Sequence, residues 1–426
     1  MSQADWDRLQ HYSRKVKFFS TINANRPKVH SSTYVRIAQL QSCALFPSLR
    51  HLHYNLDDKS IPRIFLFLFL SPLLESLELS NIGGIENTIV GPFLANLSSP
   101  MLNRIVLNSG LVSADILKIS FVHFKLLRSL ELTVKGDFDI WEVLGTLPSL
   151  ADLTLKAIDP ASHSTHASGN SDPQSPKYFE ALESLSVTGP FFLIQYLLNF
   201  IDSPYLKTIK VYPVINHINR RPFSNEHVDN LFAPSMTIVT SKWSQSLKNL
   251  VIDSSGAMHL YAVPKCLTLL TDFQEMETFR LSGWKMENMD DDLRRLMMSW
   301  PKLRTLEVTP FDQTFISLST LRIIAESCPE LRHLNIQLDT SNIPPFNTSS
   351  KGLDHKLEDL SVARFHPFNT RTLLECQIQM AQHLDLIFPH LKSIVTVQPN
   401  PPDVTWSGIR DLVKLCQNVR RRQTGQ

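Results

Sequence analysis

The sequence is short of glycine, which supplies only 13 of its 426 residues against 26 prolines. Nucleotide-binding turns and phosphate loops need glycine where the backbone turns tightly. No Walker loop and no G-x-G-x-x-G, H-E-x-x-H or G-x-S-x-G motif occurs. The sequence therefore predicts neither a nucleotide site nor catalytic machinery, and we expect a binding protein rather than an enzyme.

Cysteine and net charge are also low. The five cysteines are odd in number and scattered, and none belongs to a C-x-x-C pair. This favours reduced thiols over a zinc site or a disulfide framework, so we expect no metal and no cofactor. The 42 basic and 40 acidic residues leave a formal net charge of +2. Such a balance gives no long-range attraction for nucleic acid or anionic lipid.

Long apolar runs are missing. The most apolar stretch, 64–70, is followed by Ser71 and Pro72, and it is far shorter than the roughly 20 residues of a membrane helix. The first residues are polar and charged, which does not fit a secretory signal with an apolar core. We therefore expect no membrane association and a cytoplasmic or nuclear location.

What the chain does have is a recurring L-x-x-L-x-L pattern, in which apolar residues hold the first, fourth and sixth positions. Consecutive copies start roughly 28 residues apart on average, within the range of leucine-rich repeats. The thirteen copies begin at Leu49, Leu74, Leu102, Leu127, Leu150, Leu182, Leu206, Leu247, Met276, Leu303, Leu331, Leu357 and Leu391.

The pattern predicts the fold class. In an extended strand the fourth and sixth positions point to the same side, into the core, and the residues between them point out. One strand cannot bury its apolar face, but parallel strands that each return through a helix share a continuous core. We therefore expect an α/β leucine-rich-repeat solenoid, a horseshoe with a parallel β-sheet on its concave face and helices on its convex face.

Segments between the copies support this fold. Segments 113–124, 290–300 and 319–328 have apolar residues at helical spacing. A proline often stands just before the next copy, where its missing N–H ends a helix. The ninth repeat position, where an asparagine or cysteine would cap the turn, instead holds Asp57, Ile82, Gly110 and Trp284.

The expected organisation has three parts. Residues 1–44 form an N-terminal helical cap, residues 45–403 form the solenoid of about thirteen degenerate repeats, and residues 404–426 form a C-terminal capping helix with a basic tail. A polar tract at 157–177 predicts a mobile loop, and 339–355 predicts a second polar loop. We also expect helices at 225–232 and 370–388. The capping helix should bury the apolar residues Ile409, Leu412, Val413, Leu415 and Cys416.

Several chemically suggestive residues have simpler explanations. Clustered acids are favoured at helix starts, although they could also bind a cation. Paired histidines suit a solvated surface better than a metal site that has no third ligand. Cysteines in apolar helical patterns suit the core better than nucleophilic chemistry. These residues are Asp137, Asp139 and Asp290 to Asp292; His51, His53, His163 and His166; and Cys328 and Cys416.

The outward positions of the predicted sheet are the candidate protein-binding residues, because repeat proteins bind on that face. Apart from two histidines, those singled out comprise four basic and six acidic residues. This mixture is unlike the basic stripe with aromatic platforms that tracks phosphates, so we expect no nucleic acid. The residues are His51, His53, Glu78, Arg104, Glu131, Asp152, Lys156, Lys210, Asp253, Arg280, Glu307 and Asp359.

Beyond the repeats, three segments carry a family resemblance. The chain starts with a DWDRLQHYSRKV segment at 5–16, has WSQSL at 243–247, and has LDLIFPHL at 384–391 before an amphipathic tail at 406–420. In these segments and in its repeats the chain resembles fungal F-box and leucine-rich-repeat proteins. The resemblance covers nearly the whole chain through loose patterns, and it does not include the F-box itself.

The resemblance implies a function. Members of that family are similar to substrate-recognition subunits of SCF-type ubiquitin ligases, in which the F-box binds a Skp1-type adaptor and the repeats hold a protein target. The F-box would lie upstream of Asp5, and Met1 leaves no room for it. The expectation is therefore either a shortened gene product or a protein without ligase coupling. A non-ligase scaffold or inhibitor that binds a protein partner is the alternative function.

Overall fold

The computed structural model describes most of the chain in two compact units. One unit comprises Met1–Pro190 and Asn199–Leu206, and the other comprises Phe191–Leu198 and Lys207–Gln426. The residues described are 3–21, 31–40, 44–57, 63–83, 87–108, 114–135, 140–158, 178–214, 225–254, 265–284, 286, 288–311, 314–346, 352–365, 373–396 and 404–424.

Each of the thirteen repeat copies contributes one short strand, and one further strand, β1, precedes the first copy. The strands are β1 (Phe18–Ser20), β2 (His51–Asn55), β3 (Ser76–Ser80), β4 (Arg104–Leu107), β5 (Ser129–Lys135), β6 (Asp152–Ile158), β7 (Ser184–Gly189), β8 (Thr208–Pro213), β9 (Asn249–Asp253), β10 (Thr278–Ser282), β11 (Thr305–Thr309), β12 (His333–Leu338), β13 (Asp359–Phe365) and β14 (Ser393–Thr396).

The strands are connected through helices. The α-helices are α1 (Gln3–Ser13), α2 (Ser31–Leu40), α3 (Asn87–Asn96), α4 (Ala114–Phe121), α5 (Ile140–Gly145), α6 (Phe191–Phe200), α7 (Asn225–Trp243), α8 (Met289–Ser299), α9 (Leu318–Ser327), α10 (Leu373–Ile387) and α11 (Val404–Thr424), and 3-10 helices span Arg63–Phe69 and Lys265–Asp272. None of the helices in the described part of the chain is both long and apolar enough to cross a membrane.

The sheet topology confirms the predicted fold class. In the first unit β1 to β7 pair in chain order, and every pairing is parallel. In the second unit β8 to β14 also pair in chain order and in parallel. Parallel neighbours require a crossover, and helices supply it between most of the strands, whereas the described residues between β12 and β13 form no helix. The protein is an α/β leucine-rich-repeat solenoid.

The core follows the repeat pattern. In the second copy the three apolar positions, Leu74, Leu77 and Leu79, are fully buried, whereas Ser76 and Glu78 between them are partly exposed. The same apolar positions are buried in the other copies with few exceptions, among them Thr396 at the end of β14. Fully burying one such side chain contributes about 1.5–3 kcal/mol, so the repeated pattern is sufficient to drive the stacking.

The prolines act in turns between helix and strand. Leu74 N–H donates to the Ser71 carbonyl and Leu303 N–H donates to the Trp300 carbonyl, and in both cases the acceptor residue precedes a proline. A β-turn with proline at its second position has this geometry, since proline fixes φ near the required value. The prolines expected to end helices thus lie in turns that lead into the next strand, as after α8, which ends at Ser299 before Pro301.

Polar side chains just before these turns bond to the preceding repeat. Ser99 Oγ donates to the Leu74 carbonyl at 2.6 Å, Ser203 Oγ donates to the Leu182 carbonyl at 2.6 Å, and Trp300 Nε1 donates to the Leu270 carbonyl at 3.0 Å. Each donor satisfies a backbone acceptor that the stacking has removed from water, which would otherwise cost free energy.

His355 has a related role. Leu357 N–H donates to Nδ1 of the buried imidazole at 3.1 Å, so in the neutral ring the proton resides on Nε2. Nε2 lies 2.9 Å from the Cys328 carbonyl and donates to it. Burial lowers the pKa of His355, although its bond to the Cys328 carbonyl acts in the opposite direction.

The predicted helices are present, but several boundaries differ. Segment 113–124 contains α4 and 370–388 contains α10, whereas α8 and α9 each start one residue before the predicted segments 290–300 and 319–328. The helix expected at 225–232 continues to Trp243 as α7. The loop expected at 157–177 starts too early, because Ala157 and Ile158 extend β6 and pair with Val134 and Lys135. Its remainder, 159–177, lies outside the described residues.

The N-terminal segment contains a strand besides its helices. β1 pairs with β2, placing Phe18 beside His51 and Ser20 beside His53. Phe19 stacks on Phe46 with ring centroids 5.7 Å apart. The segment that the sequence assigned to a helical cap therefore adds a strand to the sheet of the first unit.

The C-terminal helix α11 packs on the last strand and on α10. Trp406, Ile409 and Val413 are buried, and Gln417 Nε2 donates to the Leu391 carbonyl at 2.9 Å. The buried stripe differs from the predicted one, because Leu415 is 58% exposed. Leu415 lies two residues after Val413, which places it on the opposite side of the helix.

Two ninth-position residues of the repeats are part of the core. Ile82 and Trp284, which replace the usual asparagine or cysteine, are fully buried. Trp284 packs on Phe232 with ring centroids 5.3 Å apart. Asp57 is exposed, and its backbone N–H donates to Asn55 Oδ1 at 3.0 Å. Gly110 lies outside the described residues.

Candidate protein-binding surface

The candidate surface is the outward side of the strands. In each L-x-x-L-x-L copy the residues at the third and fifth positions point away from the core, because side chains alternate along a strand. In β2, Leu52 and Tyr54 are buried, whereas His51 is exposed and His53 is half-exposed. The predicted outward orientation of the two histidines is therefore confirmed.

The registers of the first unit align the outward residues in two rows. His51, Ser76, Arg104, Ser129 and Asp152 occupy equivalent positions of neighbouring strands. The second row starts at His53 and continues through Glu78, Val106, Glu131 and Thr154. Neighbouring members are about 4.8 Å apart.

Polar contacts join side chains of this surface, and Lys156 lies in a further row beside Thr133. His53 Nε2 lies 3.2 Å from Glu78 Oε1, and Lys156 Nζ donates to Glu131 Oε1 at 2.6 Å. Asp152 has a raised pKa, caused first by partial burial and then by the charge of Glu183. The outward surface of the first unit thus contains two close polar pairs, His53 with Glu78 and Lys156 with Glu131.

The second unit repeats the arrangement with other residues. Lys210, Val251, Arg280, Glu307 and Asn335 align across β8 to β12.

Glu307 is the best-connected member of this row. Arg280 Nε lies 3.4 Å from Glu307 Oε2, and Asn335 Nδ2 donates to Glu307 Oε1 at 3.2 Å. On the neighbouring row His333 Nδ1 lies 2.8 Å from Asp359 Oδ2. Asp253, at the end of β9, aligns with Ser282. His333 and Asn335 belong to the surface and were not among the predicted residues.

A further charged row was missed by the sequence reasoning. The second position of each copy lies at the start of its strand, and there Glu277 is shared by Lys248 Nζ at 2.7 Å and Arg304 at 3.8 Å. Glu358 is shared in the same way by Arg332 at 2.9 Å and Lys392 at 2.7 Å. The signal was available, since this position is charged in most copies.

These salt bridges lower the pKa of both acids. The hydrogen bond from Lys248 is the main cause that lowers the pKa of Glu277, and the charges of Lys248 and Arg304 add to it. Hydrogen bonds first from Lys392 and then from Arg332 lower the pKa of Glu358. Both carboxylates are therefore ionised at neutral pH and bind two bases each.

The acids and histidines that suggested a metal site are only partly covered by the described residues. In the described part of the chain no group of three or more His, Cys, Asp or Glu side chains could hold a metal ion. Asp290 to Asp292 lie in the first turn of α8, as predicted, but Asp290 Oδ1 also accepts the Ser317 N–H before α9 at 3.0 Å. Asp137, Asp139, His163 and His166 lie outside the described residues.

The two cysteines differ in their surroundings, since Cys328 is buried and Cys416 is half-buried near Asp385 and Arg420. Burial raises the pKa of the Cys328 thiol to about 12, and its Sγ lies 3.7 Å from the Met297 sulfur. Burial is also the first cause that raises the pKa of Cys416, which is half-buried. A thiol with a raised pKa is a poor nucleophile, so the predicted packing role of Cys328 is confirmed.

The repeats and the parallel sheet place the protein in the class of leucine-rich-repeat solenoids. No protein-family model and no curated protein matches the sequence. Solved structures similar to it include the internalin InlF of Listeria monocytogenes, at 12% identity over 93% of this chain and 86% of that chain, with a TM-score of 0.40.

Two further structures are similar at the same level. The leucine-rich-repeat protein LegL7 of Legionella pneumophila is 11% identical over 85% of this chain and 98% of that chain, with a TM-score of 0.37. A chain of the yeast Rad7 and Elc1 complex is 13% identical over 86% of this chain and 92% of that chain, with a TM-score of 0.36. These similarities are too distant to assign a function.

Proposed function

We propose that this chain binds a protein partner through the outward side of its strands, as the substrate-recognition subunit of an SCF-type ubiquitin ligase. The observation that carries the binding role is the set of aligned, partly exposed polar rows, with ion pairs such as Lys156–Glu131 and Arg280–Glu307. The ligase role is supported by the resemblance to fungal F-box and leucine-rich-repeat proteins.

The chemistry of the rows favours a protein over other ligands. An acid and a base face each other on neighbouring strands in several places, as in His53 with Glu78 and Glu131 with Lys156. A nucleic acid would require a basic surface, whereas mixed charges suit the polar rim and hydrogen-bonding groups of a protein interface. Repeat proteins present such surfaces on their sheets.

The binding role is tested by charge reversal on the sheet. Proteins that associate with the tagged full chain in cells are identified by mass spectrometry and compared with those of Lys156→Glu and Arg280→Glu variants. We expect each reversal to weaken capture of the same partner, because it replaces a positive charge of the binding surface with a negative one and so removes its charge complementarity to the partner. Lys414→Glu, an exposed change on α11, is the matched control. Equal capture by all four chains would contradict the proposal.

The ligase role has its own test. We expect a Skp1-type adaptor to co-purify with the protein as encoded by its full gene, and the partner to accumulate when the proteasome is inhibited. If no adaptor binds and the abundance of the partner is unchanged, the protein is a scaffold or inhibitor without ligase coupling. The sheet-binding result distinguishes that outcome from a failure to bind any protein.

A further inference from the structure

A row of apolar side chains is exposed in the first unit, at the turn before each strand. Leu73, Met101 and Leu126 hold the same position of three consecutive repeats, one residue before the first leucine of the copy, and they are 45%, 51% and 55% exposed. The strands that follow, β3, β4 and β5, are paired in register. Neighbouring strands lie about 4.8 Å apart, so this apolar turn row is about 10 Å long.

Two more apolar side chains lie in the repeat of Leu126. Ile119, on α4, is 68% exposed, and Val122, directly after α4, is 65% exposed. Single exposed apolar residues are normal on a protein surface, but several in adjacent repeats mark a site of interaction.

Folding does not require apolar residues at this turn. In the second unit the same repeat position holds Glu275, Lys302, Glu330 and Lys356. Lys302 Nζ lies 2.5 Å from Glu275 Oε1, and Lys356 Nζ lies 3.6 Å from Glu330 Oε1. The position therefore accepts charged residues that pair between repeats, and the apolar turn row has a cause other than the fold.

At the Met101 and Leu126 end of the apolar turn row, the described charged side chains between positions 101 and 128 are basic, namely Arg104, Lys118, Lys125 and Arg128, whereas the side chain of Asp115 lies outside the described residues. At the Leu73 end, the acid Glu75 pairs with Arg50 at 3.1 Å. A partner that covers the row brings its own flanking groups close to these bases. Acidic groups would be attracted and basic groups repelled.

The spacing of the row matches a helix. Side chains at positions i, i+3 or i+4, and i+7 of an α-helix lie about 5 Å apart along its axis, because the helix rises about 1.5 Å per residue. A helix that runs across the repeats can therefore place one apolar side chain beside each member of the row. We propose that the apolar turn row docks an amphipathic helix of a partner protein whose apolar stripe is flanked by aspartate or glutamate. The apolar side chains of the row lie outside the outward rows of the strands, and of the flanking bases only Arg104 belongs to both surfaces, so the proposal does not depend on the proposed function.

The test uses two labelled helical peptides of about 18 residues. Both have leucines at helical spacing, and one has glutamates where the other has lysines. Their binding to the full chain is measured by fluorescence anisotropy. We expect the glutamate peptide to bind and the lysine peptide to bind much more weakly.

Variants connect the binding to the row. We expect L73S/M101S/L126S to raise the Kd of the glutamate peptide at least about tenfold. Substitutions at exposed positions elsewhere, I64S/M298S/L374S, are the matched control and should leave the Kd unchanged. K125E/R128E should weaken the glutamate peptide and strengthen the lysine peptide, which tests the charge without removing any apolar side chain. Thermal melts by circular dichroism show whether each variant is folded.

Several results would overturn the proposal. These are equal binding of the two peptides, no binding of the glutamate peptide, or an unchanged Kd in L73S/M101S/L126S. Vesicles of phosphatidylcholine with one-fifth phosphatidylserine test a membrane as occupant, and row-dependent vesicle binding without peptide binding would replace the partner helix by a lipid surface. Sedimentation velocity tests a second copy, and a dimer that L73S/M101S/L126S dissociates would replace the partner helix by self-association.

Discussion

Removal of α11 should uncover the end of the second unit and make the protein aggregate. The perturbation is a stop codon after Pro402. The truncation removes Trp406, Ile409 and Val413, each of which is at most 3% exposed in the intact chain. At about 1.5–3 kcal/mol for each side chain, the loss is roughly 5–9 kcal/mol. Since a typical domain is stable by about 5–15 kcal/mol, the effect should be severe.

The truncation also exposes the surface that α11 covers. Ile394 of β14 is 6% exposed and Leu391 is 5% exposed in the intact chain, and β14 is the last strand of the second unit. An uncovered apolar strand at a sheet edge is a site of aggregation. Size-exclusion chromatography should show high-mass species. A soluble truncation that melts cooperatively at the temperature of the intact protein would refute the capping role and favour a detachable partner-binding motif.

Point variants make the same test without deleting a helix. Ile409→Ala should lower the free energy of unfolding by about 2–5 kcal/mol, because it leaves a cavity beside α10 and β14. Leu415→Ala, on the exposed side of the same helix, should change it by less than about 0.5 kcal/mol. Urea denaturation measures both. Equal losses would show that the assigned buried stripe of α11 is wrong.

Three further predictions concern stability. The folded-state pKa of His355 is below its unfolded value, so the folded state binds fewer protons. The free energy of unfolding should therefore fall as the pH drops below about 6.5. Urea unfolding at pH 8 and pH 5 should show a smaller fall in this free energy for His355→Gln than for the wild-type chain. Glu277→Gln should cost about 1 kcal/mol or less at low salt, because its two ion pairs are partly exposed, and the cost should vanish in 1 M NaCl by the same assay. Deletion of 160–176 should lower the melting temperature by less than about 5 °C, because this polar tract offers little to bury, and a larger fall by calorimetry would contradict the sequence argument.

The fold could be predicted because its signal is local and repeated. The three apolar positions of L-x-x-L-x-L predict burial within one strand, and the proline before the copy predicts the end of the preceding helix, as at Pro301 after α8. Such patterns depend on steric rules that hold wherever they occur. The strand registers then follow, because equivalent positions of successive copies pair.

The details that were missed depend on contacts between repeats. Leu415 matches the apolar spacing of α11, but only the packing of α11 on α10 and β14 shows that Val413 is buried and Leu415 is exposed. The role of His355 requires the Cys328 carbonyl, 27 residues earlier in the chain. Glu277 lies between Lys248 and Arg304 only after three repeats are stacked. Patterns within one repeat cannot determine such pairings.

Equivalent positions of the repeats also differ in whether the fold constrains the residue that occupies them. At a position that serves the core, the repeats carry one kind of residue, since a leucine or valine must fill the same space each time. At the outward and turn positions the fold imposes no such choice, which is why the position of Leu73 is held by Lys302 in another repeat. A run of one chemical kind at these unconstrained positions therefore needs a cause outside the fold. The apolar turn row satisfies that criterion.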